Sequence, residues 1–179
     1  LEYGGLYQEQ QKAMHDLALV LLAAILLVAA LLLFLYENFA IVFSILITAL
    51  LALGAVFVGL WLTGTERNLT AMIGMTMIVG IVTETAIFYF AELRNHNPEE
   101  LVRAGAIRLR PVLMTAIIAI LALLPLALGI GAGAEMQAPL AVAIISGLVA
   151  EIPLVLLVMP GIYVTLQKIL PLRKSRSHE

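Results

Sequence analysis

The feature that most limits what this chain can become is a succession of five apolar stretches, each as long as a lipid bilayer is thick and separated by short polar breaks. A bilayer core takes about 20 mostly apolar residues in helical form. Backbone amides and carbonyls in hydrocarbon must be satisfied internally, which leaves helices or closed barrels. The spans read as 17–36, 39–63, 69–91, 111–132 and 138–166. Only Glu37-Asn38 separates the first two, so a tight hairpin is expected there, and Pro125 is expected to kink the fourth. No alternating strand pattern of any length runs through the chain, apart from a stub at Leu1-Glu2-Tyr3 before Gly4-Gly5 that reads as the end of a soluble domain. The predicted fold class is all-α, a polytopic transmembrane bundle of five helices with successive spans antiparallel. Composition agrees: 63% of residues are hydrophobic and 12% charged, against roughly a quarter charged in soluble domains.

Lys and Arg in short loops orient such a chain, because cytoplasmic loops are enriched in them. With the amino terminus outside, Arg94, Arg103, Arg108, Arg110, Lys168, Arg173, Lys174 and Arg176 fall on one side, and Lys12 and Arg67 on the other. That asymmetry predicts an amino terminus outside and a cytoplasmic carboxy terminus. Residues 1–16 then form an outer stub, periplasmic if the resemblance given below holds, and a helix leading into the membrane, and 167–179 a cytoplasmic tail. An amino terminus already across the membrane, followed by an odd number of spans, predicts a fragment of something longer. The connection from Glu92 to Arg110 carries a helix start, with Asn97 as cap, Pro98 at the first position and Glu99 and Glu100 in the first turn. A connector helix over about 98–108, lying in the membrane interface, is expected.

Two ionisable residues fall inside spans. A charged side chain at mid-span costs about 2.5 to 3.5 kcal/mol on insertion scales, so Glu84 and Glu151 each require a reason. Helical spacing puts Ile73, Thr76, Met77, Gly80, Thr83, Glu84 and Ile87 on one face of the third span, and that face is expected to look inward. Desolvation penalises the ionised form of a carboxyl, the property a proton-coupling site needs. The plainer role is a neutral Glu hydrogen-bonded between helices. Glu151, between Gly147 and Pro153, either opposes Glu84 or satisfies a carbonyl freed by Pro153. Thr115 shares a face of the fourth span with Arg108, where the guanidinium is placed to attract the carboxylate, while Arg110 reads as a positive-inside anchor. Glu84, Thr115, Arg108, Glu151 and Thr83 are therefore the proton-relay candidates.

Other chemistry is thinly supported. Met72 and Met75, three apart, have spacing compatible with a soft Cu(I) or Ag(I) site, against the commoner role of methionine in packing. No other metal site and no cofactor is indicated. Gly54, Gly59, Gly74 and Gly80 are expected to let helices approach closely. His15, His96 and His178 lie outside the spans, no nucleophile–base pair or phosphate loop is present, and there is no cysteine, so neither an enzyme nor a nucleic-acid binder is indicated.

At Arg108-Leu-Arg-Pro-Val-Leu-Met-Thr115-Ala, then Gly131-Ala-Gly-Ala-Glu135, Pro139-Leu-Ala and Ser146-Gly-Leu, the sequence resembles the resistance-nodulation-division permeases. The likeness runs over nearly the whole chain: Leu1-Glu-Tyr-Gly-Gly-Leu-Tyr resembles the exit from a second periplasmic porter region, Tyr36-Glu-Asn a cytoplasmic turn, and Gly80-Ile-Val-Thr-Glu-Thr-Ala86 the relay helix. The resemblance implies helices eight to twelve of a twelve-helix, homotrimeric inner-membrane antiporter, which uses proton influx to drive export through a periplasmic adaptor and an outer-membrane channel. It also implies a relay shared with acidic residues of an amino-terminal half. Drug exporters of this family often carry Lys at the position of Glu84, whereas some heavy-metal exporters carry Glu there as this chain does; those metal exporters tend to place Lys where this chain has Val112. Small molecules and metal cations both stay open as cargo. The alternative to a transporter part is a structural or assembly membrane module with no transport of its own.

Overall fold

The computed structural model describes residues 3–93 and 98–169. Six α-helices and one π-helical segment follow in order: α1 Tyr3–Tyr36, α2 Phe39–Leu62, α3 Leu69–Ala91, α4 Pro98–Ala127, α5 Ala134–Pro153, the π segment Leu154–Val158 and α6 Met159–Ile169. Five helical stretches are long and apolar enough to cross a membrane, the last running through α5, the π segment and α6. Among the described residues there is no strand, and the all-α five-span bundle is what the sequence predicted.

Side-chain caps and left-handed residues make the reversals. Glu37, at φ 47°, ends α1, and the Asn38 side chain accepts from the Ala40 amide at 3.0 Å to start α2. Gly64, at φ 65°, closes α2, and Asn68 caps α3 by accepting from the Ala71 amide at 3.1 Å.

Three boundaries differ from the sequence expectation. The connector over about 98–108 is no separate interfacial helix, since α4 runs unbroken from Pro98 through Pro111 to Ala127. Losing one amide at Pro111 costs less than exposing a whole helix break to lipid. The fourth span therefore stops at Ala127 rather than 132, and α5 begins at Ala134 rather than 138. At the amino end Tyr3 already opens α1, so Gly4 and Gly5 lie in a helix and not after a strand stub; Leu1 and Glu2, like Asn97 and His96, lie outside the described residues.

The core is a seam of small residues between α5 and its neighbours α2 and α3. A methyl at Gly59 would collide with the Ser146 hydroxyl, one at Gly74 would stand 2.8 Å from the Ala143 Cβ, and one at Gly147 would run into Ile78. Close approach of this kind is how apolar helices gain packing where lipid supplies no hydrophobic drive. Gly54 and Gly80, expected to act likewise, meet nothing within 4 Å. At the end of the bundle where α4 begins, edge-on contacts join Tyr36, Tyr89 and Tyr163 to Phe90, with ring centroids 5.3 to 6.3 Å apart. The Tyr36 hydroxyl donates to the Ile87 carbonyl at 2.9 Å and that of Tyr89 to the Leu101 carbonyl at 2.6 Å, tying α1 and α4 to α3.

Coverage is uneven. Of the most apolar stretch of each span, 44% is buried in α2, in α3 and in the last span, but only 6% in α1 and 11% in α4. α1 and α4 thus turn most of their surface away from the rest of the chain.

Candidate functional site

The middle of α3 carries the most unusual polar group in the molecule. Helical periodicity aligns Ile73, Met77, Gly80, Glu84 and Phe88 in a ridge, and all five are exposed. The opposite side, including Ala71, Gly74, Met75, Ile78, Val82 and Ala86, is buried against the other helices. The Glu84 face therefore does not look into this bundle, contrary to the sequence expectation. The reason lies in residue size: Gly74 and the slim residues near it allow α5 to approach, so α5 takes that side and leaves the glutamate ridge outside.

Thr83, assigned to the same face as Glu84, is turned away from it. It is buried, its hydroxyl donates to the Val79 carbonyl at 2.7 Å, and it borders a small cavity with Ile25 and Val28 of α1 and Leu46 and Ala49 of α2. One residue is about 100° around a helix, enough to change neighbours completely.

Glu151 is 2% exposed and lies on the buried side of α5. The backbone around Pro153 is accommodated by the π segment, where the Met159 amide donates to the Leu154 carbonyl.

Arg108 does not meet Glu84. Its guanidinium stands 3.3 Å from the Glu92 carboxylate and 5.2 Å from the Phe88 ring centroid, at the foot of the glutamate ridge. The sequence expectation of an Arg108–Glu84 attraction gives way to an Arg108–Glu92 pair two turns further along α3. The Nε of Arg108 is buried without a hydrogen-bond partner. Thr115 is exposed on α4, its hydroxyl 3.0 Å from the carbonyls of both Pro111 and Val112. Met75 is packed in the core and Met72 is half-buried, and the described residues contain no group of three or more His, Asp or Glu side chains placed to hold a metal ion.

Residues 1–167 match the AcrB/AcrD/AcrF family. The chain belongs to that family. It is a membrane protein of the resistance-nodulation-division class, as its sequence motifs imply. Among curated relatives it is 38% identical over 146 residues to the swarming motility protein SwrC of Bacillus subtilis, covering 76% of this chain and 14% of that protein. It is 34% identical over 143 residues to the cobalt-zinc-cadmium resistance protein CzcA of Cupriavidus metallidurans, again covering 76% of this chain and 14% of that one. The nickel and cobalt resistance protein CnrA of the same species is 33% identical over 143 residues, covering 76% of this chain and 13% of its own length. Crystal structures of a heavy metal efflux pump superpose on 90% of this chain with TM-scores of 0.81 and 0.78 at 33% identity, using 17% and 16% of the pump chain. The chain thus spans about one seventh of the length of the relatives it matches.

Proposed function

We propose that this chain forms the carboxy-terminal membrane half of a proton-driven exporter, and that Glu84 takes part in its proton coupling. One observation carries the reading: a carboxylate at mid-span, in a helix with no other charge, sits on a ridge that the described chain leaves uncovered. Facing lipid, such a group would be costly, so the ridge suits a second helical body with polar groups of its own. The amino-terminal half of the same permease is that body in this reading. Gly80, open and one turn from Glu84, leaves room for its close approach. Thr115 lies on the uncovered side of α4, and Arg108 stands where α3 and α4 meet below the ridge, so both flank the path a proton would take.

The cargo is a small molecule or a metal cation. The relatives named for cobalt, zinc, cadmium and nickel resistance, together with the heavy metal efflux pump structures, favour a cation. The family further supports a homotrimer in the inner cell membrane that works with a periplasmic adaptor and an outer-membrane channel. The Lys and Arg asymmetry supports a periplasmic amino terminus and a cytoplasmic carboxy terminus.

The decisive experiment replaces Glu84 by Gln in the assembled pump. Export driven by a pH gradient is expected to fall to background while the trimer persists in detergent; export at the parental rate would sink the assignment. The sparse coverage of α1 and α4 favours a second reading, an assembly module that moves nothing by itself. Reconstituting the chain together with the amino-terminal half of the permease into liposomes with a pH gradient separates the two: a transporter half gives solute movement that Glu84→Gln abolishes, whereas with a passive module the same substitution changes neither the gradient nor the solute.

A further inference from the structure

A groove of about 510 Å³ opens between the first turns of α4 and the last span, inside the range of about 300 to 1,000 Å³ found for small-molecule sites. Small residues make it: Gly105 and Ala106 of α4 stand opposite Pro153 and Leu157, where the π segment departs from the regular helical ladder. Its floor is the ring of Tyr89, 3.6 Å from where a methyl on Gly105 would lie. Its walls are aliphatic, and Val102, Ala106, Leu109 and Leu157 at the mouth are exposed.

Depth and charge determine what fills it. The span that contains α4 has 29 residues, which is about 43 Å of helix against about 30 Å of hydrocarbon. The first turns of α4 therefore cross the headgroup zone, and the groove descends from there, between Leu101 and Leu109, to the level of acyl chains. Arg103 and Arg110 flank Ala106, one turn before it and one turn after, and both are exposed. Helical side chains lean toward the amino end of their helix, so Arg110 reaches back toward the level of Arg103. The ion pairs among the described residues are His15 with Asp16 and Arg108 with Glu92, which leaves Arg103 and Arg110 unpaired there. Arg103 borders a cleft with Glu92 and Glu100, whereas no acid lies within four residues of Arg110. Val102, Ala106 and Leu109 are each about 100° or more around α4 from Arg108 and from Thr115. The groove thus faces away from the side of α4 assigned above to the amino-terminal half, and lipid is its neighbour.

We propose that this groove binds an acidic phospholipid, one acyl chain lying over Gly105 and Ala106 and the phosphate held by Arg103 and Arg110. Guanidinium groups keep their charge and grip phosphate oxygens in pairs. Basic pockets between membrane helices take acidic headgroups in the same way. An acyl chain seated there fills the gap between two helices and holds α4, sparsely covered by the rest of the chain, against the last span. The orientation proposed above puts the site in the cytoplasmic leaflet. Binding itself requires neither that orientation nor transport, so this site and the proton coupling at Glu84 stand or fall separately.

The test places a fluorophore at the mouth of the groove. The full chain carries Val102→Trp together with Trp61→Phe, which replaces its single native tryptophan. It is reconstituted into phosphatidylcholine liposomes containing brominated phosphatidylglycerol or brominated phosphatidylcholine, since bromine quenches only an indole it touches. Half-quenching is expected at a roughly tenfold lower mole fraction of phosphatidylglycerol than of brominated phosphatidylcholine. In Arg103→Gln/Arg110→Gln that preference is expected to fall to parity. If this variant fails to insert, high salt carries the test, because screening should shrink the preference in the parent. Equal quenching by the two lipids, or a preference that neither the arginine substitutions nor salt reduces, overturns the proposal. So does the absence of quenching by either lipid in the assembled pump, which would show a protein segment in the groove.

Discussion

On one side of α3, Gly74 and Ile78 press against Ala143 and Gly147 of α5 at distances no added methyl would tolerate. On the other side Ile73, Met77, Gly80 and Glu84 stay uncovered. Both sides are largely apolar, so hydrophobicity does not distinguish them. What separates them is residue size on the packed side and one carboxylate on the open side. In a membrane, where lipid is as apolar as leucine, close contact and polar pairing decide which surfaces join. α5, with Ala143, Ser146 and Gly147, is built for close contact. The glutamate ridge is built for a polar partner.

This contrast can be broken most directly by enlarging a glycine on each side. Gly147→Leu should destabilise the chain by about 1 to 3 kcal/mol or more through overpacking against Ile78. Gly80→Leu, with nothing within 4 Å, should stay within roughly 0.5 kcal/mol of the parent in detergent unfolding. Equal losses would show that the two sides are packed alike. In the assembled pump the order is expected to narrow, because there Gly80 faces the other half in our reading.

A smaller effect is expected at the ties that hold the poorly covered helices. Tyr89→Phe removes the hydroxyl that reaches the Leu101 carbonyl of α4 at 2.6 Å and should cost roughly 0.5 to 1.5 kcal/mol. Proteolysis of the segment joining α3 to α4 should then accelerate, and an unchanged rate would mean that α4 is held by its α5 contacts alone. Smallest of all is the Arg108–Glu92 pair, whose side chains are 27% and 38% exposed. Solvent screening limits its coupling to under about 1 kcal/mol in a double-mutant cycle, and high salt should reduce it further.

The spans and the two intramembrane acids are legible in the sequence, whereas the surroundings of Glu84 and Arg108 are not. The apolar run of the fourth span starts at Pro111, yet α4 passes through that residue from Pro98. Helical spacing puts Thr83 and Glu84 on one broad face, yet the roughly 100° between them leaves Thr83 buried and Glu84 exposed. Arg108 and Glu84 were joined by chemical complementarity, and a nearer carboxylate, Glu92, takes the guanidinium instead. Sequence spacing on a single helix is rigid geometry, whereas partners on different helices depend on rotation and depth, which an apolar sequence hardly encodes.

By itself the sequence determined that this chain lives in lipid, how many times it crosses and where an acid interrupts it, because hydrocarbon permits only long satisfied helices and makes every buried charge conspicuous. Only the tertiary structure decided which side of each helix is covered. Core-facing and lipid-facing residues are equally apolar in such a chain, so the choice fell to the interlocking of Gly59, Gly74 and Gly147 with their neighbours. That packing left Glu84 open and sealed Glu151.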